Sequence, residues 1–275
     1  MKKSIEKIKL ILRRLYIRLF RESYKKRIYE SIQNTSLSDL RGNKILEPEL
    51  LLLDQFLSEG DIVFDIGANI GHYTYQFEKI VGSQNVYAFE PIPALFDRLK
   101  KLFSKVNIFQ IAFSDINQIT RFKIPIINSH VFETRGKLDI GLVEPGEEKA
   151  LIIDVKCEKL DDFVADKKLA NINFIKIDVE GHELSVLRGA ERAIIKFQPT
   201  ILVEIEQRHH EFSINEIFEY IEKMGYRIDY FDLSIGKFLS REKFDVNVLQ
   251  QYSYIKTNRY INNFWCIPLN QNRLS

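Results

Sequence analysis

With 275 residues, 45% of them hydrophobic, the chain is long enough to bury a full core and sits near the upper size for one domain. Forty Lys and Arg against 38 Asp and Glu leave a formal net charge of +2, which removes the global polycation that would argue for nucleic acid, so any basic patch must be local. Cys157 and Cys266 form neither a C-x-x-C pair nor a metal-ligand cluster, and no apolar run reaches the roughly 18 residues that span a bilayer; a reduced, cytosolic protein is expected.

Residues 1–30 differ from the rest. Eleven Lys and Arg against three Glu give this segment a side-chain charge of +8, and Ile5, Ile8, Leu12, Leu15 and Leu19 recur at spacings of 3 and 4. This is the pattern of a basic amphipathic helix, docked on the domain or lying peripherally on an anionic membrane surface. Arg13, Arg14 and Arg18 interrupt it, which a signal peptide would not tolerate. Residues 31–44 turn polar, as a linker would, so the chain divides into an arm with its linker over 1–44 and a catalytic domain over 45–275.

The segment ILEPELLLLDQFLSEGD predicts a helix from near Pro48 to Gly60. Strand signals then fall at 61–66, 85–89, 107–112, 172–178, 200–205, 226–232 and 262–267, and helical segments at 71–81, 92–104, 158–168, 182–197 and 213–224. Strands alternating with helices imply an α/β, Rossmann-like domain with a seven-stranded, mostly parallel sheet covered on both faces. Residues 119–156 break the rhythm with two β-rich stretches around a glycine-containing loop, an inserted β-hairpin.

The most informative segment is VFDIGANIGHYT, residues 63–74. A strand ending in Asp65 turns through Gly67, Ala68, Asn69, Ile70 and Gly71 into a helix, at the end of the sheet where nucleotide-like ligands sit. A dinucleotide fingerprint would need a second glycine where Asn69 stands, and Asp65 would repel a pyrophosphate while suiting an ammonium. The next strand ends in Glu90, 23 residues past Gly67, the place for an acid that accepts hydrogen bonds from both ribose hydroxyls of an adenosine. A third strand end, with Ser114 and Asp115, falls where an adenine would lie, although Ser-Asp is also ordinary turn chemistry. The fourth strand, INFIKID, exits into Val179, Glu180, Gly181 and His182; Asp178, Glu180 and His182 cluster there on the cofactor side, with Glu204 at the end of the fifth strand. Lys176 lies on the same strand face as Asp178 and offers it a structural ion pair instead of a catalytic role.

GDIVFDIGANIGHYT, VYAFEP, LDDF at 160–163, INFIKIDVEGHELSVLRGAE and ILVEI occur in that order, and together they resemble the FkbM-type methyltransferases, a branch of the class I S-adenosylmethionine-dependent enzymes. The resemblance covers about residues 60–205, and GYRIDYFD and FWCIP look like the family's final antiparallel strand pair. It implies S-adenosyl-L-methionine as cofactor and O-methylation of a hydroxyl on a sugar, glycan, lipid or polyketide-like acceptor, in pathways such as bacterial glycan biosynthesis. It puts Asp65, Gly67, Asn69, Gly71 and Glu90 on cofactor-binding positions, to which Ala68, Ser114 and Asp115 are added from their places in the strand ends. Asp178, His182 and Glu204 are the candidate bases; a cation held by Asp178 and Glu204 has no ligand spacing behind it, and no metal is assigned. The competing readings are an NAD-dependent oxidoreductase, which Asn69 opposes, and a non-catalytic adaptor, which the intact Asp65, Asn69 and Glu90 set opposes.

Overall fold

The computed structural model describes residues 21–42, 46–127, 130–131, 137–138, 149–255 and 257–270. Its centre is an eight-stranded sheet with β1 (Val63–Ile66), β2 (Val86–Phe89), β3 (Asn107–Phe109), β9 (Phe174–Ile177), β10 (Thr200–Glu204), β11 (Tyr226–Asp232), β12 (Lys237–Ser240) and β13 (Asn263–Pro268) in the order β12-β11-β13-β10-β9-β1-β2-β3. β3, β2, β1, β9 and β10 run parallel, while β13 is antiparallel to both β10 and β11. The expected parallel sheet with an antiparallel final strand is therefore present, widened by β12, which folds back on β11 after the turn at Gly236.

Alternation along the strands supplies two cores. Phe64, Ile175, Ile177, Ile201 and Val203 face one side, packed under helices Leu160–Asp166, Glu183–Gly189 and Asn215–Lys223. Val63, Phe174, Leu202 and Trp265 face the other, under helices His72–Val81 and Pro93–Leu102. The order reverses between β1 and β9, and the crevice at the carboxyl ends of these strands is where an α/β sheet of this kind offers a site.

Several expected elements come out differently. Residues 48–60 do not form one helix but two short 3₁₀ turns, Pro48–Leu51 and Leu53–Gln55. Four consecutive leucines cannot share one face of an α-helix, and the tighter turns bury Leu50, Leu52 and Leu53. The segment expected as a linker carries helices Glu30–Asn34 and Leu37–Gly42, with Ile32 and Leu40 buried. The single helix over 182–197 breaks into Glu183–Gly189 and Glu191–Phe197, and the strand over 107–112 stops at Phe109. The chain then re-enters a second, five-stranded sheet as β4 (Ala112–Phe113).

That second sheet is the insertion. β5 (Gln118–Ile127) and β8 (Lys149–Glu158) form its antiparallel hairpin, β4 pairs with β8, and the short β6 (His130–Val131) and β7 (Lys137–Leu138) pair with β5. The glycines and the Pro-Gly pair expected in its loop lie outside the described residues. So does the apolar stripe from Ile5 to Leu19; of the arm, helix Arg21–Ile28 is described. No helix among the described residues is long and apolar enough to cross a membrane. Cys157 and Cys266 are both free and buried.

Candidate active site

A cleft opens at the carboxyl ends of the parallel strands. Gly67, Asn69 and Glu90 line one part of it, and Asp178, Glu180 and His182 another. Ile92, Leu95, Ile111, Phe113 and Phe122 supply apolar walls.

The glycine turn is shaped by close backbone packing. Gly67 has φ +80°, and a Cβ there would sit 1.9 Å from the carbonyl oxygen of Asp178, so glycine is required by conformation and by space. The amides of Gly67 and Ala68 both donate to the carbonyl of Phe89, which ties the turn to the end of β2. Asn69 also takes a positive φ, of 50°. Gly71 caps helix His72–Val81 from the left-handed region, where a Cβ would press on Leu99, Phe103 and the Tyr29 hydroxyl.

Glu90 is 3% exposed, and its carboxylate is fixed by two backbone amides, Asn69 N–H on Oε2 and Ile92 N–H on Oε1, each at 2.8 Å. Burial raises its pKa to about 7 against the pull of those two hydrogen bonds. An immobilised acid at the edge of an apolar slot fits a vicinal diol attached to a flat base, the chemistry of an adenosine.

Asp65 does not line the cleft. It is fully buried on β1 opposite Lys176 of β9, accepts a 2.5 Å hydrogen bond from Thr74 Oγ1, and has its pKa raised by burial against the attraction of Lys176. Ala68 and Gly71 belong to the packing of the turn rather than to the cleft walls.

Asp178 faces the cleft with its Oδ2 2.6 Å from Lys176 Nζ. Burial works against the charge on Lys176, but Asp178, Glu47, Asp65 and Glu204 surround it and raise its pKa, and its ammonium also lies 4.6 Å from the centroid of the Tyr73 ring. The ion pair anticipated as the structural alternative for Asp178 is therefore formed. His182 also reaches the cleft, yet its ring is held by Ser114, with Nε2 2.9 Å from Oγ, and not by Asp178. Ser114 Oγ in turn donates to Asp115 Oδ1 at 3.2 Å. Burial lowers the His182 pKa, opposed by Glu183 and Asp115. Ser114 and Asp115, expected beside an adenine, thus stand behind the imidazole instead, and Ala112 and Phe113 take the cleft wall.

A backbone contact secures this arrangement. A Cβ on Gly189 would sit 2.0 Å from the Ser114 carbonyl oxygen, so the helix that begins after His182 presses its glycine onto the Ser114 turn. Glu204 stands away from the cleft, bonded to Asn262 at 2.7 Å. Burial first, then the charges of Asp178 and Glu47, raise its pKa well above the carboxylate range. The neighbouring Glu206 is held low, because hydrogen bonds from Arg208, Glu204 and Tyr260 overcome the cost of its burial. Among the described residues no group of three or more His, Cys, Asp or Glu is arranged to hold a metal ion.

The residues missed from the sequence are mostly the apolar walls, while Glu180 stands at the strand end with Asp178 and His182, as expected. Glu180 adopts φ +52° in the turn after β9, lines the cleft, and pairs with His209 at 3.0 Å; His210 pairs with Glu183 at 2.9 Å nearby. The D-x-E-G-H spacing after a strand is the signal that contained Glu180. Nothing local points to Phe122, which reaches the cleft from the insertion.

The family model of the methyltransferase FkbM domain matches residues 65–228, from the acid of β1 into β11. The chain belongs to the FkbM methyltransferase family. Among proteins similar to this chain, the hexuronic acid methyltransferase AglP of Haloferax volcanii is 28% identical over 165 residues, covering 58% of this chain and 60% of that protein. The 31-O-demethyl-FK506 methyltransferase FkbM of Streptomyces tacrolimicus is 28% identical over 167 residues, covering 50% and 62% respectively. The chain thus spans less than two thirds of the length of either relative. A solved structure, the methyltransferase FkbM of Methylobacillus flagellatus KT, is similar with a TM-score of 0.48 and 16% identity, covering 78% of this chain and 47% of that one.

Proposed function

We propose that this FkbM-family chain is an S-adenosylmethionine-dependent O-methyltransferase acting on a hydroxyl of a small-molecule or glycan acceptor. The observation that carries the reading is Glu90, locked by the Asn69 and Ile92 amides at the mouth of a cleft whose other end holds Asp178 and His182. Family membership and the two methyltransferase relatives, one named for a hexuronic acid and one for 31-O-demethyl-FK506, support the same chemistry.

In this reading Glu90 accepts from the ribose hydroxyls, and Ile92, Leu95, Phe113 and Phe122 pack the base. Asp65 keeps Lys176 and the strand pair in place instead of touching ligand. When bound, S-adenosylmethionine supplies a methyl group on a sulfonium. His182 is the base for the acceptor hydroxyl. With Nε2–H donating to Ser114 and Ser114 donating to Asp115, the lone pair of the imidazole is on Nδ1, and a lowered pKa keeps the ring neutral and ready to accept a proton. Asp178, neutralised by Lys176, orients the acceptor hydroxyl through its remaining lone pairs. Glu204, whose carboxyl holds its proton, is the poorest base of the three.

The test is calorimetric binding of S-adenosylhomocysteine and NAD, followed by transfer of labelled methyl from S-adenosylmethionine to a panel of hydroxylated sugars, glycans, lipids and polyketides. Binding of the homocysteine compound with labelled product is expected; preference for NAD would defeat the reading.

A further inference from the structure

We propose that the face carrying the N-terminal helix docks on an anionic membrane surface. Helix Arg21–Ile28 is clamped to the body by Lys25, which reaches Glu78 at 2.5 Å and Glu22 at 3.1 Å, and by the buried Tyr29 that follows it. Beside it runs a surface groove lined by Lys26, Lys79 and Lys105, with Ser23, Ser83 and Ser104 between them. The acids of the groove, Glu22 and Glu78, are both engaged by Lys25, whereas Lys26, Lys79 and Lys105 form no ion pair with any described residue. Arg27 is exposed on the same helix, and Glu30 is the acid that follows.

These lysines come from three separate stretches of chain, and the fold gathers them at the root of the arm. The preceding residues 1–20 add Lys2, Lys3, Lys7, Lys9, Arg13, Arg14 and Arg18 against the single acid Glu6, together with the apolar Ile5, Ile8, Leu12, Leu15 and Leu19. A bilayer is the partner whose chemistry fits both parts. Its interface takes up apolar side chains, and its phosphate headgroups answer a cluster of ammonium groups. A soluble polyanion answers the charge but leaves the stripe without use. The inference does not depend on the methyl-transfer reading.

The experiment is sedimentation of the whole chain with vesicles of phosphatidylcholine alone or mixed with phosphatidylglycerol, at low and high salt. Capture by the mixed vesicles only, with release by salt, is expected. Lys26→Gln, Lys79→Gln and Lys105→Gln, all at the surface, should together lower partitioning by about a hundredfold, at roughly fivefold each. The urea unfolding midpoint should stay unchanged in that variant, which shows that it folds. Leu12→Asp and Leu15→Asp should also weaken capture. Failure of the mixed vesicles to pellet the chain, unchanged partitioning of the triple-lysine variant, or tighter binding to single-stranded RNA than to the vesicles would each overturn the proposal.

Discussion

The two ends of the cleft are built from different materials. At the β1–β2 end the working parts are backbone: a glycine turn braced on the Phe89 carbonyl, and two amides that hold Glu90. At the β9–β10 end they are side chains that meet across the chain, with His182 held by Ser114 and Glu180 set beside His209. A backbone site tolerates almost no change at its turn positions. A side-chain site can be rewired one partner at a time, which suits the end of the cleft proposed to meet the acceptor.

The sharpest way to test that contrast is Gly67→Ala. The added carbon meets the Asp178 carbonyl and the residue keeps a positive φ, so a stability loss of about 2–5 kcal/mol is expected from overpacking and backbone strain together. Urea unfolding measures it, and near-native stability would show that the turn yields more easily than its packing implies. At the other end, His182→Ala should fold normally and bind S-adenosylhomocysteine with unchanged affinity while losing about 10² to 10⁴ in the rate of single-turnover methyl transfer. At saturating cofactor, methyl transfer by the unmutated chain should fall on acidification only below the ordinary histidine value, since the His182 pKa is lowered. Near-normal turnover by the mutant would move the chemistry to another group.

Glu90→Ala removes a charged acceptor and should weaken cofactor binding by about 2 kcal/mol. Because Glu90 titrates at about 7 in the ligand-free fold, affinity in the unmutated chain should also fall as pH drops through that value, as the carboxylate gains a proton and loses acceptor capacity. Flat calorimetric affinity across neutral pH would count against the ribose assignment. The smallest effect is expected from Tyr29→Phe. The Tyr29 hydroxyl donates to the Ile70 carbonyl at 2.6 Å and so fastens the glycine turn from outside the matched family region. Its loss should cost about 1 kcal/mol of cofactor affinity, and an unchanged value would make Tyr29 a packing residue alone.

The same contrast explains what could be read from the residues. Gly67, Asn69 and Glu90 announced themselves because a backbone turn demands particular residue types at fixed spacing, and the parallel strands because buried runs such as FIKI and TILV leave few alternatives. Asp178 and His182 stand at their strand end as expected, but the partner of the imidazole is not legible in the sequence, since Ser114 lies 68 residues away and no local pattern marks the pairing. Asp65 misled for a related reason: an acid before a glycine turn looks ligand-facing, yet Lys176 on the neighbouring strand and Thr74 on the following helix draw it inward. Pro48 and Gly60 mark the ends of 48–60 without an amphipathic period between them, so the segment winds as 3₁₀ turns, and the linker hides its helices because short polar helices stabilised by tertiary burial carry little propensity of their own.

The contact between Gly189 and the Ser114 carbonyl has an evolutionary consequence. Any side chain at 189 would push the helix off the Ser114 turn and swing the imidazole it steadies. Positions 114, 182 and 189 should therefore drift as a unit among near relatives, so that a lineage which abandons the histidine is released from the glycine as well.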